Sequence, residues 1–86
     1  MDDNMLWSVE KSVKLNHCHR YALILKSSYL KMIAEVITTK QILESDIIYP
    51  VENALYLINN ETNNTLKVVH ATVYSAEKWI ALIKNI

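Results

Sequence analysis

Apolar positions in the last quarter of the chain recur at spacings of three and four. Leu66, Val69, Val73, Ala76, Ile80 and Ile83 follow one another without a miss, the seam of an amphipathic helix. Val68, Trp79 and Leu82 widen this arc, while Lys67, Lys78 and Asn85 fall opposite. The β-branched residues between Leu66 and Tyr74 make a strand the competing assignment there. The register carried on through Trp79 to Ile83 favours the helix.

A second long element is predicted from Asn16 to Glu44. Leu15, Cys18, Ala22, Leu25, Tyr29, Met32, Val36 and Leu43 hold the same register, with Thr39 the one polar interruption. Leu30, Ile33 and Ile37 broaden its buried side. As a helix it would be about 40 Å long, so it bends or its end projects toward something that covers it. Leu6, Val9 and Val13 mark a short N-terminal helix, and Pro50 suits the first turn of another, with Val51, Leu55 and Ile58 inward. Residues 59–64 read as a loop, with Asn63 or Asn64 as N-cap of the last helix. The prediction is an all-α fold: a small antiparallel helical bundle of three to four helices, two long and two short, forming a single helical domain over residues 1–86.

Composition reinforces that expectation. Glycine is absent from the 86 residues and there is one proline. Tight hairpins usually need glycine or Asn-Gly at positive φ, whereas asparagine can close a helix. The same absence removes phosphate-cradling loops and G-x-S-x-G elbows. Cys18 has no partner for a disulfide. The start, Met1-Asp2-Asp3-Asn4, is acidic where a secretory signal would be basic. No apolar run approaches the ~20 residues of a membrane span. A cytoplasmic location with no membrane contact is the expectation.

Nine basic and nine acidic residues cancel, but they are not mixed evenly. Lys11, Lys14, Arg20, Lys26 and Lys31 fall in a stretch without a carboxylate, and Glu44, Asp46, Glu52 and Glu61 in one without a cation. These five cations form a candidate electrostatic surface, either solvating a neighbouring face or steering a partner.

Candidate chemistry is sparse. His17-Cys18-His19 is the one cluster of metal-ligand types, yet on a helix the two imidazoles diverge and no second ligand pair is near in sequence. A buried cysteine flanked by surface histidines is the expectation, with no metal and no cofactor. His70 lies at the edge of an apolar arc without the access a phospho-accepting histidine needs. The defining positions of phosphotransfer domains, acyl carriers, chorismate-mutase-like bundles and nucleotide pyrophosphohydrolases are missing. No enzyme and no small-molecule substrate is inferred.

What remains is apolar surface in excess. Trp7, Tyr21, Tyr29, Tyr49, Tyr56, Tyr74 and Trp79 each carry a polar handle, a type favoured at interfaces. The leading expectation is a protein-interaction module, a homodimer or partner-binding regulator, with Tyr21, Leu25, Tyr29, Met32, Val36, Trp79, Leu82 and Ile86 as interface. The alternative is a small DNA-binding regulator using Lys11 to Lys31, although a single arginine and no basic stripe weigh against nucleic acid.

Overall fold

Strands replace the expected helices along most of the chain. The computed structural model describes residues 6–15, 19–52, 55–59 and 61–84. They form β1 (Trp7–Lys14), β2 (Arg20–Ser27), β3 (Leu30–Ile37), β4 (Ile47–Glu52), β5 (Leu55–Ile58), β6 (Glu61–Val73) and one helix, α1 (Ala76–Ile83). The strands close into a barrel in the order β1–β2–β3–β6–β5–β4, each antiparallel to its neighbours. The all-α bundle is therefore overturned: the described residues form a closed barrel with one short helix.

Each predicted helix fails for a local reason. The long element from Asn16 to Glu44 is the β2–β3 hairpin followed by a loop, turning at Ser28 and Tyr29. Tyr21, Leu23 and Leu25 alternate into the barrel, where Leu23 and Leu25 join Val9, Ala34, Val36, Ile42, Ile48, Ile58 and Leu66 in the core. The intervening Ala22 and Ile24 are buried as well. Trp79 of α1 shares an outer cleft with Ile24, and Leu82 shares another with Ile33, so β2 and β3 are covered on both faces. A strand buried on both faces reads as a continuous apolar run, and spacings of three and four can be picked from it at will.

The final seam divides. Leu66 is interior, Val69 and Val73 are exposed strand residues, and only Ala76 to Ile83 are helical. The N-cap is Ser75, whose hydroxyl accepts from the Lys78 N–H at 3.1 Å, not Asn63 or Asn64, which lie within β6. Leu6, Val9 and Val13 belong to β1 or its approach. Pro50 sits within β4. Asn59 N–H donates to the Ile47 carbonyl at 2.6 Å, which fixes Ile47 and Tyr49 toward β5 and turns Pro50 toward the β1 side. The described β1–β4 ladder ends at Ile48, so the missing N–H of Pro50 interrupts no described ladder bond.

Turns form without glycine because, among the described residues, four others enter the left-handed region: His19 (φ 61°), Ser28 (φ 52°), Ser45 (φ 80°) and Asn59 (φ 54°). Such a conformation costs roughly 1–2 kcal/mol for a residue bearing Cβ, and at Asn59 side-chain bonds offset it. Asn59 Oδ1 accepts from Ile47 N–H at 2.8 Å and its Nδ2 donates to Asp46 Oδ1 at 3.1 Å.

The β3–β4 connection plugs one end of the barrel with Ile42, which is 2% exposed. Thr38 is buried but satisfied: its hydroxyl donates to the Thr65 carbonyl at 2.7 Å and accepts from Lys40 N–H at 3.1 Å. Ser12 Oγ donates to the Ile42 carbonyl at 2.7 Å, tying the plug to β1. Leu23, with no exposed surface, tests this core. Leu23→Ala is expected to lower the unfolding free energy by about 2–5 kcal/mol in urea denaturation, whereas Val51→Ala at an exposed position should change it by under about 0.5 kcal/mol.

Candidate functional site

A bulge in β1 lies beside a broad surface cleft. The ladder with β2 skips Glu10 between Val9 and Lys11, and both Glu10 and Lys11 line a cleft of about 860 Å³ on the outside of the barrel. Ile24 of β2 lines its apolar part, Tyr74 and Trp79 flank it, and Glu44 and Ser45 come from the β3–β4 loop. Ser45 is held by its N–H, which donates to the Val9 carbonyl at 2.8 Å.

Lys31 joins three elements at this cleft. Its Nζ lies 3.2 Å from Glu10 Oε1 and 4.6 Å from the centroid of the Tyr74 ring. The Tyr74 N–H donates to the Lys31 carbonyl at 2.9 Å, so the aromatic ring is set by the same residue whose charge it receives. An exposed cation–π contact contributes about 0.5–1 kcal/mol, and an exposed ion pair less than about 1 kcal/mol. These contacts orient side chains more than they stabilise the fold. Two half-buried aromatic side chains bordered by charges of both signs are a composition found in protein-binding patches.

The structure gathers some of the residues expected from sequence and separates others. Lys11, Lys31 and Trp79 meet in the cleft, and exposed Lys26 pairs with Lys31 across the β2–β3 ladder. Lys14 and Tyr21 line a different cleft with Ser12 and Gln41. Arg20 lies at the far end of β2 from Lys26 and is 2.6 Å from Glu35 Oε2. The five cations are therefore divided between the two ends of the hairpin rather than forming one surface. Leu25 and Val36 are core residues with no surface to offer a partner. Met32 lines a partly open apolar cavity, Tyr29 is fully exposed at the hairpin tip, and Leu82 lines a cleft with Glu35, His70 and Lys78. Ile86 lies outside the described residues, as do His17 and Cys18, while His19 is exposed in the β1–β2 turn. Among the described residues no three His, Cys, Asp or Glu side chains gather as a metal site.

Glu10, Ile24, Glu44, Ser45 and Tyr74 were not expected at a site. Strand alternation from Arg20 to Lys31 could have put Ile24, Lys26 and Lys31 on one face. Nothing local announces the contact between Lys31 and Tyr74.

Residues 5–80 match the model of the IraM/PmrD family. The chain belongs to that family. Two curated relatives bear the name signal transduction protein PmrD. The one from Salmonella typhimurium is 40% identical over 83 residues, covering 94% of this chain and 98% of its own. The one from Escherichia coli is 39% identical over 77 residues, covering 87% and 88%. Among solved structures, the crystal structure of E. coli PmrD superposes with a TM-score of 0.89 at 38% identity, covering 93% of this chain and 96% of that one. The solution structure of PmrD from Klebsiella pneumoniae gives 0.79 at 35%, covering 90% and 96%. Both solved structures thus share the fold of this chain, and the family match reaches into α1 as far as Ile80.

The position of Trp79 depends on a helix of eight residues held at its start by Ser75. Ser75→Ala is expected to cost about 1 kcal/mol of local helix stability. Amide exchange in Ala76 to Ile83 should accelerate about fivefold, with exchange at Leu23 and Ala34 in the barrel unchanged.

Proposed function

We propose that this chain is a small regulatory adaptor in signal transduction, acting in the cytoplasm by docking a protein partner rather than by catalysis. The observation that carries this reading is the cleft in which the half-buried rings of Trp79 and Tyr74 stand beside the charges of Lys11, Lys31 and Glu10. Membership of the IraM/PmrD family and the signal-transduction name of its relatives support it. Lys26 and Tyr29 extend the docking surface toward the hairpin tip, and Leu82 extends it along α1. The charged rim steers encounter and fixes orientation, and the aromatic centre holds the complex.

DNA binding is set aside. Arg20 is engaged by Glu35 and Lys31 by Glu10, the basic residues sit on strands at two separate ends, and the relatives are signal-transduction proteins. The homodimer form of the interaction reading is tested by light scattering across a concentration series, with a constant monomer mass rejecting it.

Photo-crosslinking residues placed at Lys11 and Lys26 in the native cell should capture one common protein. The same probe at Val51, on β4 across the barrel from β3, should not. With that partner purified, Trp79→Ala is expected to weaken binding by about 2 kcal/mol while leaving the unfolding midpoint near that of the parent. Equal capture from Val51, or unchanged affinity, would reject this docking surface.

A further inference from the structure

Strand β6 outruns its neighbour β5. The β5–β6 ladder ends with Leu55 opposite Lys67, whereas pairing with β3 continues to Met32 opposite Val73. The bond from Tyr74 N–H to the Lys31 carbonyl fixes the phase of that ladder. Tyr74, Thr72 and His70 are the residues bonded to β3, and Ala71 and Val73 turn their N–H and C=O groups the other way. Among the described residues no backbone group answers them there. Val73 is 66% exposed and Ala71 is exposed too. The edge reads Val-His-Ala-Thr-Val from position 69, with no lysine or proline to blunt it as edge strands usually have.

A second observation lies directly beside this edge. Ala71 is also a wall of a partly open apolar cavity of about 90 Å³, lined with Trp7, Met32, Tyr56 and Val68 among others. That is room for the few carbons of a branched aliphatic group.

We propose that the β6 edge at Ala71 and Val73 is a strand-addition site for an extended, uncharged segment of another protein, which sets a branched aliphatic side chain into this cavity. The phase of the sheet links the two features. Because the Ala71 side chain faces the cavity, the residue opposite Ala71 on an added strand projects onto the same face. Backbone bonds would supply affinity and the cavity would supply selection, the division of labour in strand addition. A charged side chain there would be desolvated without a partner. A second copy of β6 fits less well, since antiparallel pairing centred on Ala71 would place methyl against methyl and leave the cavity unfilled. The cavity shares no lining residue with the Ile24–Trp79 cleft, and of the variants Ala71→Leu and Val73→Pro only the second adjoins Tyr74 of that cleft in sequence.

The test uses the full chain and a blocked peptide, acetyl-Thr-Val-Thr-Leu-Thr-Val-Thr-amide, with amide exchange followed by NMR. Saturating peptide should slow exchange at Ala71 and Val73 by about tenfold or more, and replacing its leucine with aspartate should weaken binding at least about tenfold. Val73→Pro removes an N–H that plays no part in the β3 ladder and should abolish binding in a folded protein. If that variant does not fold, Ala71→Leu, which fills the cavity, should erase the preference for leucine over aspartate. The proposal is overturned by unchanged exchange at Ala71 and Val73, by equal binding to a folded Val73→Pro protein, or by a retained preference in Ala71→Leu. Protection of the same amides that rises with protein concentration alone would also overturn it, making a second copy the occupant.

Discussion

Among the described residues, two of β1 turn a curved sheet into a closed barrel. Trp7 pairs with Ile48 and Ser8 with Ile47, and the bond from Val9 N–H to the Asp46 carbonyl at 2.9 Å continues the seam. A ladder this short would hold poorly alone, because isolated strand pairs are marginal in water. The β3–β4 loop prolongs it by other means: Ser12 holds the carbonyl of Ile42, and Asp46 accepts from Leu43 N–H at 2.9 Å while bonded to Asn59. Closure places Ile42 and Ile48 in the core. It also brings Glu44 and Ser45 to the cleft wall, so the architecture and the candidate site share one seam.

The charges follow the same economy of position. The chain is neutral in sum, yet its two described ion pairs, Arg20 with Glu35 and Lys31 with Glu10, lie on the outer side of the β1–β2–β3 sheet. Each ties a residue of one strand to another strand, and the second also sets the Tyr74 ring. Lys26 and Lys11 are left on the rim, where long-range attraction to a partner matters more than stability. This barrel thus carries its described ion pairs on the hairpin side, while the backbone groups of Ala71 and Val73, unanswered among the described residues, lie on the other edge of β6.

Much of this was legible in particular residues and some was hidden by them. The excess of apolar positions was real, and it is explained by β2 and β3 being covered on both faces, since Ala22, Ile24 and Ile33 are buried beside Leu23, Ala34 and Val36. That double coverage erased the alternation by which strands announce themselves. The absent glycine pointed the wrong way because His19, Ser28, Ser45 and Asn59 do glycine's work in the turns. The β-branched run from Leu66 to Tyr74 did carry the strand signal, and continuing the seam into α1 outweighed it wrongly. Of the candidate site, Trp79, Lys31 and Lys11 were legible as an aromatic and two cations. Their meeting required the bulge at Glu10 and the β3–β6 pairing, neither of which has a local pattern.

The order of strands around the barrel also fixes an order in time. The second edge of β3 is covered by β6, not by the strand that follows it in sequence. During synthesis the β1–β2–β3 meander emerges first, and the apolar edge of β3 then waits for β4, β5 and β6 to leave the ribosome. Long-range pairing of this kind is slow, and an uncovered strand edge is the exposed state from which chains associate. For this chain the β3 edge stays uncovered from the emergence of Ile37 until that of Val73.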